Sequence, residues 1–165
     1  MIKAIFFYIS WQILYDLFIY TDGRLDQFLA TSVAFIAKIF LSFFGWDISV
    51  LGRLIVIEGY RGVEVLDECN ALTLMVLYSG FIISFQGPNK ERVLFIFGGI
   101  GIIFILNIFR IIAFSLATVY FQRYWDLFHE FSAFIFFYPF ILTLWYQWTL
   151  ISEKNIKSSP DFSIA

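Results

Sequence analysis

Charge is scarce in this chain. Of 165 residues only 15% are Asp, Glu, Lys or Arg, and the net charge is −2; an average soluble domain carries about 25%. That balance excludes the basic footprint of a nucleic-acid binder and the charge-rich composition of a disordered segment. Cysteine is limited to one residue. This excludes a disulfide scaffold and a thiol oxidant that cycles a disulfide within the chain. The sequence contains no Gly-rich phosphate loop, metal-ligand cluster or cofactor signature, so no cofactor is expected. What it has instead is apolar surface: 61% hydrophobic and 22% aromatic residues, with 23 Phe and 5 Trp, and a mean hydropathy of +0.82. Phe and Trp at this density suit lipid-facing helices and the aromatic belts at membrane interfaces. The composition is that of an integral membrane protein, with membrane lipid as its constant partner.

A spanning helix needs about 20 predominantly apolar residues. Residues 4–20 form a first candidate, interrupted by Asp16, with no small-residue cleavage site after it. Residues 28–44 form a second, carrying Lys38; residues 71–85 are short but very apolar. Residues 93–109 hold no charge, and the apolar pattern continues past Arg110 to Val119. Residues 131–150 are the last. The expected fold is therefore an all-α, polytopic bundle of four or five transmembrane helices, forming a single domain over residues 1–151. A polar, loose C-terminal tail over 152–165 follows, which contains Pro160.

Between Trp46 and Asn70 the pattern changes. Leu54-Ile55-Val56-Ile57 and Val63-Glu64-Val65-Leu66 are short β-branched runs around Gly59 and Gly62, which predicts a small hairpin. Glu58, Arg61, Glu64, Asp67 and Glu68 keep it away from lipid. Lys90 and Arg92, with Lys154 and Lys157 in the tail, place those loops on the cytoplasmic side and the hairpin outside. Residues 28–44 either span, giving five helices, or lie along the outer interface with Lys38 snorkelling, giving four. The Lys/Arg count is the same in both arrangements.

Depth singles out three residues. At about 1.5 Å per helical residue, Cys69 lies about 24 Å from Phe85, Arg110 about 27 Å from Arg92, and His129 about 32 Å from Leu150. The hydrocarbon core is about 30 Å thick. Three helices of alternating direction thus bring the only Cys, a helix-embedded Arg and the only His to the outer boundary. Taken singly, each has an ordinary reading: a small buried thiol, a satisfied polar group, a snorkelling cation. Together they describe acyl transfer through a thioester. A nearby cation lowers the pKa of a thiol, an imidazole exchanges protons with leaving and incoming amines, and a guanidinium steadies a developing oxyanion. Asn107 precedes Arg110 by three residues, on the same helical face, and is expected to orient it. Glu68 is expected to pair with Arg110 or Arg61, to contact substrate, or to face water.

The stretch Val65-Leu66-Asp67-Glu68-Cys69-Asn70-Ala71-Leu72, followed by Asn107-Ile108-Phe109-Arg110-Ile111 and then His129, resembles the exosortase/archaeosortase family, and most of all its short bacterial members. The resemblance implies a polytopic cysteine transpeptidase of the bacterial inner membrane with its active site on the extracytoplasmic side. Cys69, Arg110 and His129 are then the catalytic residues, with Glu68, Asn70 and Asn107 in support. Many members carry a small residue and then Gly after the Cys; here those positions are Asn70 and Ala71. The substrates implied are secreted proteins bearing a C-terminal tail of short motif, membrane helix and basic cluster. The acyl group then passes to an amine or lipid acceptor. The rival class is a non-catalytic membrane subunit or assembly factor. It accounts for the composition and for Gly98, Gly99 and Gly101 as close-packing positions, but not for three reactive residues at one depth. A transporter is disfavoured by the short chain and by the lack of acidic and basic positions distributed through the spans.

Overall fold

The computed structural model describes residues 2–158 of the chain, and the side chains of residues 5–155. Helix α1 (Ile2–Leu14) runs through a single π turn (Tyr15–Ile19) into α2 (Tyr20–Asp22). Gly23 stops this run by adopting φ 65°, and α3 (Arg24–Phe43) starts immediately after it. A three-stranded antiparallel sheet follows, in the order β1 (Ile48–Leu51), β2 (Leu54–Ile57), β3 (Val63–Glu64). Next come a 3-10 turn (Asp67–Cys69), α4 (Leu72–Ser84), α5 (Asn89–Tyr120), α6 (Trp125–Phe136) and α7 (Tyr138–Ser158).

The fold is helical and membrane-embedded, with a minor sheet. Among the described residues, three helical stretches are long and apolar enough to cross a membrane: Arg24–Phe43, Asn89–Tyr120 and Gln122–Asn155. Leu72–Ser84 is equally apolar but shorter. Residues 28–44, left open between spanning and lying flat, thus meet the length criterion. The buried face of α3, Ala30, Val33, Ala34, Ala37 and Leu41, packs against the sheet, the Cys69 turn and the C-terminal part of α5.

Two expectations are corrected. The predicted hairpin is a three-stranded sheet. Ile48–Leu51 adds a strand paired to β2 from Ile48↔Ile57 to Leu51↔Leu54, closed by a two-residue loop with Gly52 at φ 62°. The second predicted strand is only Val63–Glu64. The polar tail does not begin as a loose segment: α7 continues to Ser158, and residues 159–165 lie outside the described residues. The last apolar run lies within a stretch long enough to span, as expected, and has one irregularity. It breaks at Phe137, two residues before Pro139, whose missing N–H and ring bulk interrupt the helical ladder.

Two hydrophobic cores, a lower and an upper one, follow one another along α5. The lower one joins Met75, Tyr78 and Ile82 of α4 to Ile103 of α5 and to Ile141 and Trp148 of α7. Its closest approach is at Gly99, where a Cβ would collide with the Tyr78 ring; the Tyr78 hydroxyl donates to the Phe95 carbonyl at 2.8 Å. Of the three glycines expected to permit close packing, only Gly99 does so. Gly98 and Gly101 face open space. The upper core joins α3, the inner sheet face (Ile48, Ile55, Ile57, Val63) and Ile108, Ile111, Ile112 and Phe114 of α5. Cys69 belongs to the upper core and Ala71 to the lower. The turn carrying the thiol therefore lies at the seam between them.

Candidate active site

Cys69 was expected at the end of a helix; it sits in the 3-10 turn instead, and α4 begins only at Leu72. The break is made at Ala71, the only non-glycine residue with positive φ among the described residues, at φ 66°. The reversal at Ala71 turns the chain out of the α4 axis and aims Cys69 at α5 and α6.

Cys69 is buried, and its thiol meets both partners. Its Sγ lies 3.9 Å from His129 Nε2 and 4.0 Å from Arg110 Nη2, both within reach of a sulfur hydrogen bond. The His129 ring stacks on Phe114, with centroids 5.3 Å apart and planes at 23°, which fixes the imidazole plane. Arg110 is buried and lies over the rings of Phe114 and Phe137, at 5.1 and 5.6 Å. Its Nε donates to Ser132 Oγ at 3.0 Å, and Ser132 donates in turn to the His129 carbonyl at 2.8 Å. Among the described residues no carboxylate forms an ion pair with Arg110. This buried cation contacts a hydroxyl, a sulfur and two aromatic faces, so its position favours a negative charge arriving at Sγ or beside it.

Of the supporting residues, Asn107 departs from expectation. Asn107 does not orient Arg110. Its Nδ2 donates to the Cys69 backbone carbonyl at 2.9 Å. Glu68 is exposed, as one of its expected alternatives had it, and forms no ion pair with Arg110 or Arg61 among the described residues; its charge raises the pKa of the thiol. Asn70 is buried, accepts the Leu72 N–H at 2.8 Å and donates to Asp26. Burial is the largest influence on the Cys69 thiol and pushes it above its ordinary range; Arg110 pulls it down, and Glu68 pushes it up.

Cys69 and His129 line one cavity of about 370 Å³, covered by Leu54, Leu66 and the loop carrying Arg61, with Glu64 and Asp126 also on its wall. Arg110 was expected in the same pocket. It lies behind the sulfur instead and opens on a separate groove of about 220 Å³ beside Glu68, Asn70 and Phe137. The sheet is tied to the thiol turn by Arg53, whose Nε reaches Glu64 at 2.9 Å and whose Nη1 reaches Asp67 at 2.7 Å.

Ser132, Phe114, Phe137, Arg53, Asp26 and Tyr15 are neighbours that sequence reasoning missed. Ser132 was the most accessible, since it follows His129 by three residues on the same helical face. Phe114 likewise follows Arg110 by four residues on α5; the others are joined to the site through space and leave no spacing to read.

A helical membrane protein with a cysteine held between an imidazole and a guanidinium is the class defined by this fold and site. The transmembrane exosortase family model matches residues 2–146, and the chain belongs to that family. No curated protein matches the chain, and no solved structure does.

Proposed function

We propose that the protein is a membrane-embedded cysteine transpeptidase that cleaves the C-terminal sorting signals of secreted proteins. The observation that carries this reading is the position of Cys69 Sγ, between His129 Nε2 at 3.9 Å and Arg110 Nη2 at 4.0 Å. His129 takes the thiol proton, and the thiolate formed beside Arg110 adds to the scissile carbonyl of a motif seated in the cavity of about 370 Å³. Arg110 steadies the negative charge, first on sulfur and then on the tetrahedral oxygen. The C–N bond breaks as His129 returns the proton to the departing amine. An acceptor amine then attacks the thioester, gives its proton to His129 and releases Cys69; water does the same where no acceptor arrives. A cavity of this size falls within the range of substrate sites, about 300–1,000 Å³.

In this reading the enzyme lies in the bacterial inner membrane with the cavity facing the extracytoplasmic side. The substrate's own membrane helix lies in the lipid beside the bundle, which brings its motif to the level of Cys69. The test follows the size of a tail-bearing secreted protein in cells that hold no second such enzyme. Cys69→Ala should abolish processing while the protein still accumulates in the membrane, and Cys69→Ser should retain a small residue of activity. Normal processing by Cys69→Ala would replace this reading with that of a non-catalytic subunit.

A further inference from the structure

The first and third helices carry a polar chain that the mechanism above does not use. Asp26, in the first turn of α3, is 1% exposed, and so is Asn70. The Asn70 side chain spans the gap between α3 and the thiol turn. Its Nδ2 donates to Asp26 Oδ1, and its Oδ1 accepts the Leu72 N–H at 2.8 Å, capping the start of α4. The other Asp26 oxygen accepts from the Tyr15 hydroxyl at 3.2 Å. Tyr15 opens the single π turn of the N-terminal helical run, a feature frequent at functional sites.

We propose that Asp26, braced by Tyr15, is a positioning residue that fixes the Cys69 thiol through Asn70. The inference rests on the reading of Cys69 as the nucleophile. Two observations support it. A buried carboxyl group is a poor choice for stability alone, because apolar residues of similar volume serve as well or better. The turn also contains Ala71 at φ 66°, and a non-glycine residue persists there only when its surroundings over-determine it. Asn107 pins the Cys69 carbonyl from α5. Asn70, anchored on Asp26 of α3, holds the Leu72 N–H two residues further on. Together they leave the turn one geometry, the one that aims Sγ between His129 and Arg110.

The chain has a single cysteine, so alkylation by iodoacetamide reports on Cys69 alone and needs no substrate. The full-length protein in detergent is alkylated across a pH series. Asp26→Leu keeps the branched heavy-atom skeleton but removes both acceptor oxygens; its profile should move by about one pH unit or more from that of the unaltered protein, toward that of an exposed cysteine. Asp26→Asn keeps an acceptor for Asn70 and should bring the profile most of the way back. If Asp26→Leu does not accumulate, Tyr15→Phe removes one of the two bonds to Asp26 and should move the profile the same way by less.

An unmoved profile in whichever of Asp26→Leu and Tyr15→Phe is read overturns the proposal. So does a loss of thermal stability in Asp26→Leu without any change in alkylation, or an Asp26→Asn profile displaced as far as that of Asp26→Leu. Processing of a tail-bearing protein is measured in parallel. If the unaltered chain processes nothing while the profiles move as expected, the transpeptidase reading fails and the positioning role stands. If processing is Cys69-dependent and the profiles are unmoved, the positioning role alone fails.

Discussion

Asn107 donates a side-chain hydrogen bond to the backbone carbonyl of Cys69 at 2.9 Å. Both residues are buried, so this bond joins the middle of α5 to the turn that carries the thiol. Removing it leaves a carbonyl oxygen without its partner inside the protein. Such a loss costs about 1–3 kcal/mol. Asn107→Ala should therefore lower stability by that amount, read as a drop in the thermal midpoint in detergent. It should slow processing more than the stability loss explains, because the turn moves with its carbonyl. A variant with an unchanged midpoint and an unchanged rate would remove this anchor from the site.

The thiol's surroundings set the sign of a pH profile. Burial raises the Cys69 pKa, Arg110 lowers it and Glu68 raises it; His129 and, further out on the cavity wall, Arg61, Glu64 and Asp126 also face the thiol's cavity. Alkylation requires the thiolate, so in the unaltered protein it should rise only above the ordinary titration range of a cysteine. Glu68→Gln removes a nearby negative charge and should move the profile to lower pH. Arg110→Met removes the favourable cation and should move it to higher pH. Opposite signs from the two variants are the check; a shift of both in one direction would show that exposure, not charge, controls the thiol.

Ala71 sets two magnitudes against each other. A left-handed conformation costs a non-glycine residue about 1–2 kcal/mol, while its buried methyl group contributes about 0.8 kcal/mol. Ala71→Gly removes both, so its thermal midpoint should stay the same or rise slightly, by no more than about 1 kcal/mol in stability. Ala71→Val adds a β-branched side chain to a positive φ inside the lower core and should destabilise by several times that. A large loss on Ala71→Gly would mean that the methyl group, and not the backbone, matters at this turn.

How far the site was legible in the sequence depends on the kind of signal each residue leaves. Cys69 and His129 are the only residues of their kind, and Arg110 interrupts an otherwise apolar run, so counting along helices sufficed to bring them to one level. The N-terminal helices and the Pro139 break have local signals as well. The turn at Cys69 does not. Alanine is a strong helix former, and nothing in Asn70-Ala71-Leu72 announces a left-handed residue. β1 has only four residues, Ile48-Ser49-Val50-Leu51, which come four residues after an apolar helix and read as part of the loop that leaves it. The partners of the site are harder still. Asp26 and Asn70 are separated by 44 residues, and a single side-chain bond across that distance has no period. Asn107 shows a different failure. The i to i+3 rule places it beside Arg110 correctly, but adjacency on a helix does not say which of several neighbours a polar group will choose, and an unpaired backbone carbonyl outranked a cation already held by Ser132.

The hold on Arg110 gives the last prediction. Its guanidinium uses one edge for Ser132 at 3.0 Å and another for the Cys69 sulfur at 4.0 Å, and it lies over Phe114 and Phe137. A lysine supplies the same charge as a point on a flexible stem and cannot address two partners at fixed angles. Arg110→Lys should therefore lose nearly all processing, although charge is conserved. Ser132→Ala is milder. It keeps the guanidinium but frees its Nε and releases the link to the His129 carbonyl, at a cost of about 1–3 kcal/mol in stability, and processing should fall by about tenfold as the fork rotates away from sulfur. The two effects should not add. Once Arg110 is lysine, the Ser132 hydroxyl has no fork to hold, so the double variant should process no more slowly than Arg110→Lys alone. Equal, additive losses would mean that Ser132 acts through His129 and not through Arg110, and a simple assay of processed against unprocessed substrate for the four proteins separates the two routes.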